Sequence, residues 1–356
     1  MKKILVVGLS DNIGGIETFF HTYYMHIDRH KYHFDFASVT STIAFGDKYE
    51  KDGATIYKLP HFLKSPLNYY RTLRNILKEN HYDIIHINML SAANILPVKA
   101  ARAEKIPCII IHSHNSDVPH GVIRNLLNTL NMQETRKGDL RKIACGKKAG
   151  RWLFGKNAHF QVIPNAIDAR KFTFNKITRQ NIRKKLGVSD NEILLGNIGR
   201  LCEQKNQPFL IDLLAELEPK YKLIIIGSGD YQQKIIKKAN KLDIKNRLIL
   251  ISNTPDVAEY YNAMDIFVFP SLFEGMPIAP IEAQANGLPC ICSNNITKEI
   301  DMGNITFVEP SVQKWKKVLS NVEKSSDRKQ YLSPIYDINM QSHILEQLYD
   351  SGEVSV

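Results

Sequence analysis

Short apolar runs of strand length alternate with amphipathic helical runs along the chain, and this alternation is the feature that most constrains the fold. The apolar runs of the first half are KILVVGL, FDFASV, ATIYKLP, YDIIHIN and PCIIIHSHN. Those of the second half are ILLGNIG, KLIIIGSGD, RLILISN, DIFVFP and PCICSN. Strands that alternate with helices are typical of βαβ units, whose strands pair in parallel. The sequence therefore predicts an α/β fold built on parallel sheets.

The length of the chain predicts two domains. Its 356 residues fit two domains of roughly 150 to 200 residues each. The run FQVIPNAIDARKF combines a strand, a proline and a polar turn, which is typical of an interdomain linker. We therefore place one domain at residues 1–163, a second at 164–335, and a final amphipathic helix within 336–356. The amino terminus predicts a first strand rather than a signal peptide, and no stretch approaches the ~20 apolar residues of a membrane span.

Positive charge is concentrated in the first half of the sequence. Residues 1–165 hold 23 Lys and Arg against 13 Asp and Glu, whereas residues 166–356 hold 24 against 23. We expect the first half to meet an anionic partner, either nucleic acid or a membrane surface. The segment from His120 to Lys156 carries much of the excess, and its run IRNLLNTLNM is amphipathic in a way that suits an anionic leaflet. The alternative is the solvated face of an ordinary helix.

The stretch PSLFEGMPIAPIEAQANGLP, which begins at Pro270, predicts a strand–loop–helix unit with its helix over 278–286. Open α/β folds bind ligands at the carboxyl ends of such strands. Glu274 falls in the loop and Glu282 in the helix, and we expect both to face one cleft beside the free N–H groups of the helix terminus. Carboxylates and N–H groups together suit the hydroxyls and phosphates of a nucleotide sugar. The alternative is two glutamates placed there by chance.

Two further loops have the composition of phosphate sites. Gly14 and Gly15 stand directly before a predicted helix, where glycine permits close approach of a phosphate or sugar. Their spacing is not that of the dinucleotide fingerprint, which argues against NAD. Arg200 and Lys205 lie in a strand-to-helix loop, where two cations can clamp a diphosphate. Surface cations without a ligand are the alternative.

Two histidines, His112 and His114, end the fifth apolar run. We expect only one of them to face the cleft, and a hydrogen-bonded structural histidine is the alternative. No carboxylate or cysteine lies at convincing ligand spacing, so a metal pair is not predicted. The five cysteines are scattered, and Cys290 and Cys292 have no matching pair for zinc, so all five are expected to be reduced thiols.

An ordered series of motifs gives these candidates a family context. The series is GGIETF, HSHN, ACGKKAGRWLFG, VIPNAID, GRL with QKN, IIIGSGD, DVAEYYNAMDIFVFPSLFEGMP and EAQANGLP. With seven residues between Glu274 and Glu282, it resembles the retaining family 4 glycosyltransferases of the GT-B fold, most closely the bacterial capsular and exopolysaccharide members. The resemblance implies two Rossmann-like, doubly wound domains that face a cleft, and a last helix that crosses back to the first domain.

The resemblance also assigns roles to individual residues. It implies that Arg200 and Lys205 hold the donor diphosphate, that Glu282 binds the ribose, and that Glu274 binds the transferred sugar. Of the two histidines, it favours His114 as the one that faces the sugar, and we expect Glu274, His114, Arg200 and Lys205 to be catalytic. The other implied donor-binding positions are Gly14, Gly15, Gly227, Gly275, Met276 and Pro277.

The resulting hypothesis is a metal-independent retaining glycosyltransferase of the hexosyltransferase type, without a cofactor. The expected donor is a UDP-sugar, and the expected acceptor is a saccharide on polyprenyl diphosphate in surface polysaccharide synthesis. We expect a cytoplasmic protein attached peripherally to the inner face of the plasma membrane, and we assign neither a general base nor an oligomeric state. The alternatives are a GT-B sugar-nucleotide epimerase, a transferase with a soluble acceptor, and a non-catalytic nucleic-acid-binding protein. The last lacks aromatic–basic interleaving, so no nucleic acid partner is expected.

Overall fold

The chain folds into two compact units. The structure is a computed structural model that describes residues 1–115, 121–254, 256–322 and 328–351. His120, the first residue of the basic segment, and residues 352–356 of the last predicted helix lie outside these ranges. One unit comprises residues 1–166 and the stretch from Ile338 onward, and the other is Ile167–Asp337. The limits predicted from the sequence were 163 and 335.

Seven parallel strands form one sheet in the described part of the first unit, in the order β3-β2-β1-β4-β5-β6-β7. The order reverses between β1 and β4, which makes this a doubly wound sheet with its switch point there. The strands are β1 (Lys2–Val7), β2 (Tyr32–Ser38), β3 (Ile56–Lys58), β4 (Ile84–Met89), β5 (Cys108–Ser113), β6 (Arg141–Ala144) and β7 (Gln161–Val162).

Helices cover the first sheet and connect its parallel strands. They are α1 (Gly15–Tyr24), α2 (Gly46–Lys51), α3 (Pro66–Asn80), α4 (Leu96–Ala103), α5 (Val122–Asn131) and α6 (Lys147–Phe154). Pro66 at the first position of α3 lacks an N–H group, which no residue of a first turn needs for a bond within the helix. Helix α1 packs Phe19, Phe20 and Tyr23 into the core of the unit, where all three are buried.

Strand β6 lies within the basic segment and is not predicted from the sequence. It pairs with β5 in register from Ile110 opposite Arg141 to Ser113 opposite Ala144. Only Ile143 and Ala144 of its four residues are fully buried, so its sequence shows almost no apolar run. The neighbouring strand, rather than local composition, therefore determines its conformation.

The second unit repeats the architecture. Within its described residues, six parallel strands form a sheet in the order β10-β9-β8-β11-β12-β13. The strands are β8 (Ile193–Ile198), β9 (Tyr221–Ile226), β10 (Leu248–Ile251), β11 (Ile266–Phe269), β12 (Cys290–Ser293) and β13 (Ile305–Val308). The helices are α7 (Lys176–Leu186), α8 (Gln207–Glu216), α9 (Gln232–Lys241), α10 (Val257–Ala263), α11 (Ile278–Ala285) and α12 (Val312–Leu319).

The last helix, α13 (Ile338–Ser351), belongs to the first unit, which confirms the expected return of the chain. Lys2 donates from Nζ to the carbonyl oxygens of Tyr349 and Asp350, at 2.8 Å each. The Tyr32 hydroxyl donates to the Asp350 carboxylate at 2.7 Å, and the backbone N–H of Asp28 donates to Glu346 at 2.7 Å. These bonds join α13 to β1, to β2 and to the loop between α1 and β2.

The returning helix also evens out the charge of the two units. Residues 338–356 contain three carboxylates and no Lys or Arg. By sequence, the first unit has a net charge of +7 and the second +4. The positive excess of the first half of the sequence is therefore partly offset in the first unit, because α13 carries Glu346 and Asp350.

We predict that Tyr349→Phe destabilises the first unit through one lost hydroxyl. The Tyr349 hydroxyl lies 2.8 Å from Nδ1 of the fully buried His86, and its removal leaves that nitrogen without a partner. Such a loss costs about 1–3 kcal/mol. Urea unfolding of this variant should be compared with that of Tyr331→Phe, at a partly exposed tyrosine. Equal stability of the two variants would contradict the prediction.

Candidate active site

A strand–loop–helix unit in the second domain carries the two predicted glutamates. Strand β11 ends at Phe269 and helix α11 begins at Ile278, after Pro277 in an extended conformation. The helix ends at Ala285, one residue before the predicted end. The first N–H groups of a helix have no partner inside it, so the start of α11 is a positively polarised edge beside the loop.

The structure brings Lys205 and Glu274 together. Nζ of Lys205 lies 2.7 Å from Oε1 of Glu274, and 4.8 Å from the centre of the Phe269 ring. The Glu274 side chain is 9% exposed and that of Lys205 is 20% exposed, so the pair is shielded but still open to a ligand. The two residues come from the loops after β8 and β11, which are adjacent strands. Their loops are also joined by two hydrogen bonds, from the Leu272 N–H to the Gln204 carbonyl and from the Gln204 amide to the Phe273 carbonyl.

Arg200 lies at the same strand ends with its side chain exposed. Its loop is held against the loop after β9, because the N–H of Leu201 donates to the Ser228 carbonyl at 2.9 Å. A Cβ atom at position 227 would lie 2.1 Å from the Gly199 carbonyl oxygen, and Gly227 has a φ of +154°. Glycine is therefore required at 227 for the two backbones to meet. Gly227 therefore allows the loop that carries Arg200 to pack against the loop after β9.

Glu282 is paired with a tyrosine that the sequence analysis does not identify. The Tyr261 hydroxyl on α10 lies 2.7 Å from Oε2 of Glu282 and 3.1 Å from the Ala279 carbonyl oxygen. Tyr261 is fully buried, and Glu282 is 8% exposed. A tyrosine four residues before a strand carries no sequence signal for this contact, since it depends on how α10 packs beside α11.

The geometry around Glu282 favours a protonated carboxyl group. The single proton of the Tyr261 hydroxyl can serve only one of its two acceptors. If Glu282 carries a proton, it donates to the tyrosine oxygen, and the tyrosine donates to Ala279. Burial raises the pKa of Glu282 to about 7, and the hydrogen bond from Tyr261 opposes that rise. Glu282 can therefore change its charge near neutral pH when a ligand arrives.

The two histidines share one side of β5 rather than alternating across it, but only His114 is partly exposed. Their ring centres are 3.9 Å apart, because residues two positions apart in a strand point to the same side. His112 is fully buried, whereas His114 is partly exposed just past the strand end and lies 2.8 Å from the Asn88 amide oxygen. Burial lowers the pKa of His114 to about 3 and holds that of His112 well below its ordinary value. Both are neutral at ordinary pH.

A buried hydrogen-bonded chain reaches this histidine pair from the last helix. The Tyr349 hydroxyl lies 2.8 Å from Nδ1 of His86, and Nε2 of His86 lies 3.2 Å from Nδ1 of His112. His86 is fully buried, and burial lowers its pKa to about 3. The sequence gives no signal for this chain, whose members come from β4, β5 and α13.

The first glycine of the pair in the first unit lies beside a buried glutamate, Glu17. Gly14 precedes α1, and Gly15 begins it with open space where a side chain would stand. The Glu17 carboxylate accepts from the Ser10 N–H at 2.9 Å and from the Ser10 hydroxyl at 2.8 Å. Burial raises the pKa of Glu17, and hydrogen bonds from neighbouring backbone N–H groups, including that of Gly14, oppose the rise. The N-terminus of α1 therefore already holds one carboxylate.

Taken together, the second unit offers cations, carboxylates and N–H groups at one set of strand ends. Arg200 and Lys205 can bind an anion, Glu274 can accept from hydroxyl groups once Lys205 is drawn away, and Glu282 can accept from hydroxyl groups once ionised. This set of groups can bind a ligand that carries both phosphates and a polyol.

Comparison with known proteins places the chain in a family. The sequence profile described as "Glycosyltransferase Family 4" matches residues 13–171, and that described as "Glycosyl transferases group 1" matches residues 178–334. The glycosyltransferase EpsF of Bacillus subtilis is 30% identical over 85% of this chain and 82% of its own length. The chain therefore belongs to the family 4 type of GT-B glycosyltransferases. Its two parallel α/β units and its glycosyltransferase class confirm the fold and the enzyme class expected from the sequence.

Two further relatives extend the comparison. An Escherichia coli enzyme named UDP-Gal:alpha-D-GlcNAc-diphosphoundecaprenol alpha-1,3-galactosyltransferase is 29% identical over 65% of this chain and 62% of its own length. The crystal structure of Anabaena HepE, in complex with UDP and glucose, superposes with a TM-score of 0.79 at 18% identity. That match covers 99% of this chain and 100% of the HepE chain, and it shows a shared fold.

We predict that Glu282→Gln removes a pH dependence of stability. The folded state holds the Glu282 proton up to about pH 7, whereas the unfolded state releases it near 4.5. The free energy of unfolding of the wild type should therefore decrease as the pH rises through this window. In Glu282→Gln this decrease should be smaller by about 2–3 kcal/mol. Thermal unfolding between pH 4.5 and 8 measures the effect, with Glu218→Gln, at a 68% exposed side chain, as the control. Parallel curves for wild type and Glu282→Gln would contradict the prediction.

Proposed function

We propose that this glycosyltransferase moves a sugar from a UDP-sugar to a lipid-linked saccharide in surface polysaccharide synthesis, with retention of anomeric configuration. The observation that carries the donor assignment is the shielded pair of Lys205 and Glu274 at the strand ends beside α11. Support for the donor comes from HepE, whose structure contains UDP and glucose. Support for the acceptor comes from the E. coli relative, which is named for a diphosphoundecaprenol-linked substrate.

In this proposal, donor binding exchanges partners within the ion pair. The donor diphosphate takes Lys205, with Arg200 as the second cation, and Glu274 is left to accept from hydroxyls of the transferred sugar. The N–H groups near Gly275 and Met276, at the start of α11, lie beside that sugar. Because the two side chains are 2.7 Å apart, one ligand with a phosphate and a hydroxyl group can contact both of them.

The ribose is assigned to Glu282. An ionised carboxylate accepts from two adjacent hydroxyls, so ribose binding favours loss of the proton that burial otherwise retains. Tyr261 then donates to the carboxylate and keeps it oriented. Donor binding should therefore release a proton below about pH 7. The roles expected for Gly14, Gly15 and His114 in the first unit stay predictions.

The chemical task is to stabilise a leaving group. When the anomeric C–O bond breaks, negative charge grows on the donor diphosphate, and Arg200 and Lys205 are the cations that offset it. We propose that these cations suffice without a metal ion or a cofactor. The protein supplies no nucleophile in this scheme, and the acceptor hydroxyl attacks on the face that the diphosphate leaves.

We predict a split between donor affinity and turnover. Lys205→Ala and Glu282→Ala should each weaken UDP binding by about 10–100-fold, since each loses a charge-assisted hydrogen bond. Glu274→Gln should lower kcat by about 100-fold and leave UDP binding unchanged or tighter, because Glu274 competes with the phosphate for Lys205. Calorimetry with UDP, GDP and ADP, and sugar transfer assays with and without acceptor, give these quantities.

The control for these variants is Lys220→Ala, at an exposed cation of the same unit. Unchanged UDP affinity in both Lys205→Ala and Glu282→Ala would overturn the donor assignment. Tighter binding of GDP or ADP than of UDP would correct the nucleotide. Product formed without acceptor would indicate an epimerase instead.

We also propose that the protein binds an anionic membrane surface through α5. The helix supports this proposal because its apolar side chains face outward and a polar side chain is buried. Its apolar side chains Val122, Ile123, Leu126 and Leu130 are 86%, 65%, 60% and 66% exposed. Its buried residue is Asn128, whose amide oxygen accepts from the Ala92 N–H at 2.8 Å. An outward apolar face on a helix within a basic segment suits the surface of an anionic bilayer. Within the described ranges, no helix combines the length and apolar composition needed to cross a bilayer.

We predict that the double substitution Leu126→Ser and Leu130→Ser lowers binding to anionic vesicles by about tenfold or more, because two leucines leave the interface. Sedimentation with phosphatidylglycerol vesicles measures the binding. The matched control is Leu67→Ser on α3, at a leucine that is 55% exposed outside this face. Equal vesicle binding by the double variant and the control would remove α5 from the proposed membrane surface.

A further inference from the structure

The first unit contains a cationic cavity that no step of the proposed transfer uses. Its volume is about 640 Å³, and it is lined by twelve residues between Gly138 and Val162. Its walls are formed by α6, by the loop after it and by the start of β6. The basic side chains on these walls are Arg141, Lys142, Lys147, Arg151, Lys156 and His159.

Nearby carboxylates do not neutralise Arg141, Arg151 and Lys156. Glu134 and Asp139 are bound to Arg102, at 2.6 and 2.5 Å, and Glu134 also to Lys137. Arg141, Arg151 and Lys156 form no ion pair in the described ranges. Several positive charges around one concavity repel one another, which costs stability that an anion in the cavity would restore.

Lys142 is a partly buried cation that likewise forms no ion pair with a carboxylate in the described ranges. Its Nζ donates to the Arg136 carbonyl oxygen at 2.8 Å, which neutralises no charge. Burial lowers the pKa of Lys142, with Asp139 as a weaker opposing influence. An anion beside this ammonium group would favour its charged form.

The cavity has a rigid apolar support. A Cβ atom at position 150 would lie 2.2 Å from a ring carbon of Phe160, so α6 rests directly on that ring. The Phe160 ring also packs on Phe154, with ring centres 5.7 Å apart. Glycine at 150 thereby fixes the distance between the helix and the loop that carry Arg151 and Lys156. The cations are held by packed elements on both sides.

We propose that this cavity is a binding site for a phosphate-bearing anion with at least two negative charges. Arginine provides a planar pair of donors and lysine a compact charge, and both are suited to phosphate oxygens. The site lies wholly in the first unit and is separate from the residues assigned to the donor. It goes beyond the proposed function, and its existence does not depend on the donor assignment. The phosphate can belong to a lipid headgroup or to a soluble polyphosphate.

The test uses inorganic pyrophosphate as a soluble probe and the full-length chain. Calorimetry is done with Lys205→Ala in the background, so that the donor cations contribute little. Arg151→Gln and Lys156→Gln should each weaken pyrophosphate binding by about fivefold, the effect of one charge near an anionic group. The matched control is Lys148→Gln, because Lys148 is exposed on the same helix and does not line the cavity. Hydrogen exchange of residues 141–160 should slow when pyrophosphate is added.

A second arm identifies the source of the phosphate. Vesicles with phosphatidylglycerol are compared with neutral phosphatidylcholine vesicles, using the same three variants. Binding of pyrophosphate that depends on Arg151 and Lys156 supports a soluble ligand, and dependence seen only with anionic vesicles supports a headgroup. Equal losses in Lys148→Gln and the cavity variants would overturn the proposal, since they indicate diffuse surface charge. Absence of both kinds of binding would overturn the proposal too. Loss of UDP binding alone would contradict the donor assignment and leave the cavity proposal unaffected.

Discussion

The adjacency of β8 and β11 is the constraint on which the candidate active site depends. Parallel strands that are neighbours in a sheet end at the same edge, so the loops after them meet although some 70 residues of chain lie between them. This places a cation from one loop 2.7 Å from a carboxylate of the other. Partly buried charges need partners, and a ligand with phosphate and hydroxyl groups can replace both partners of this pair at once.

Buried polar groups contact two of the predicted site residues. Glu282 shares a proton-dependent contact with Tyr261. The His114 ring packs against that of His112, from which hydrogen bonds run through His86 to Tyr349 on the last helix. Each of these groups loses hydration on burial, which explains why the carboxyl pKa rises and the imidazole pKa values fall. The consequence is a neutral set of hydrogen-bonding groups in the first unit and a titratable carboxyl group in the second.

The basic segment has two distinct surfaces. Helix α5 turns its leucines outward and buries Asn128, whereas α6 and the loop after it arrange cations around a concavity. An apolar face suits hydrocarbon, whereas a cationic cavity suits phosphate, so the two surfaces differ in the chemistry that they can bind. The local arrangement of these side chains is more informative about a binding partner than the net charge of the unit, which the acidic last helix lowers to +7.

The sequence by itself determined the α/β class, nearly every strand of each sheet, the loops that carry Arg200, Lys205 and Glu274, and the helix that carries Glu282. It could do so because buried parallel strands are continuous apolar runs, and glycine and proline mark where such runs give way to loops and helices. Only the tertiary structure decided the contacts between distant elements. Strand β6 exists because β5 pairs with it, the partner of Glu282 is a tyrosine on another helix, and the outward face of α5 depends on Asn128 being buried. Such choices depend on packing between segments far apart in the chain, and local propensity carries no information about them.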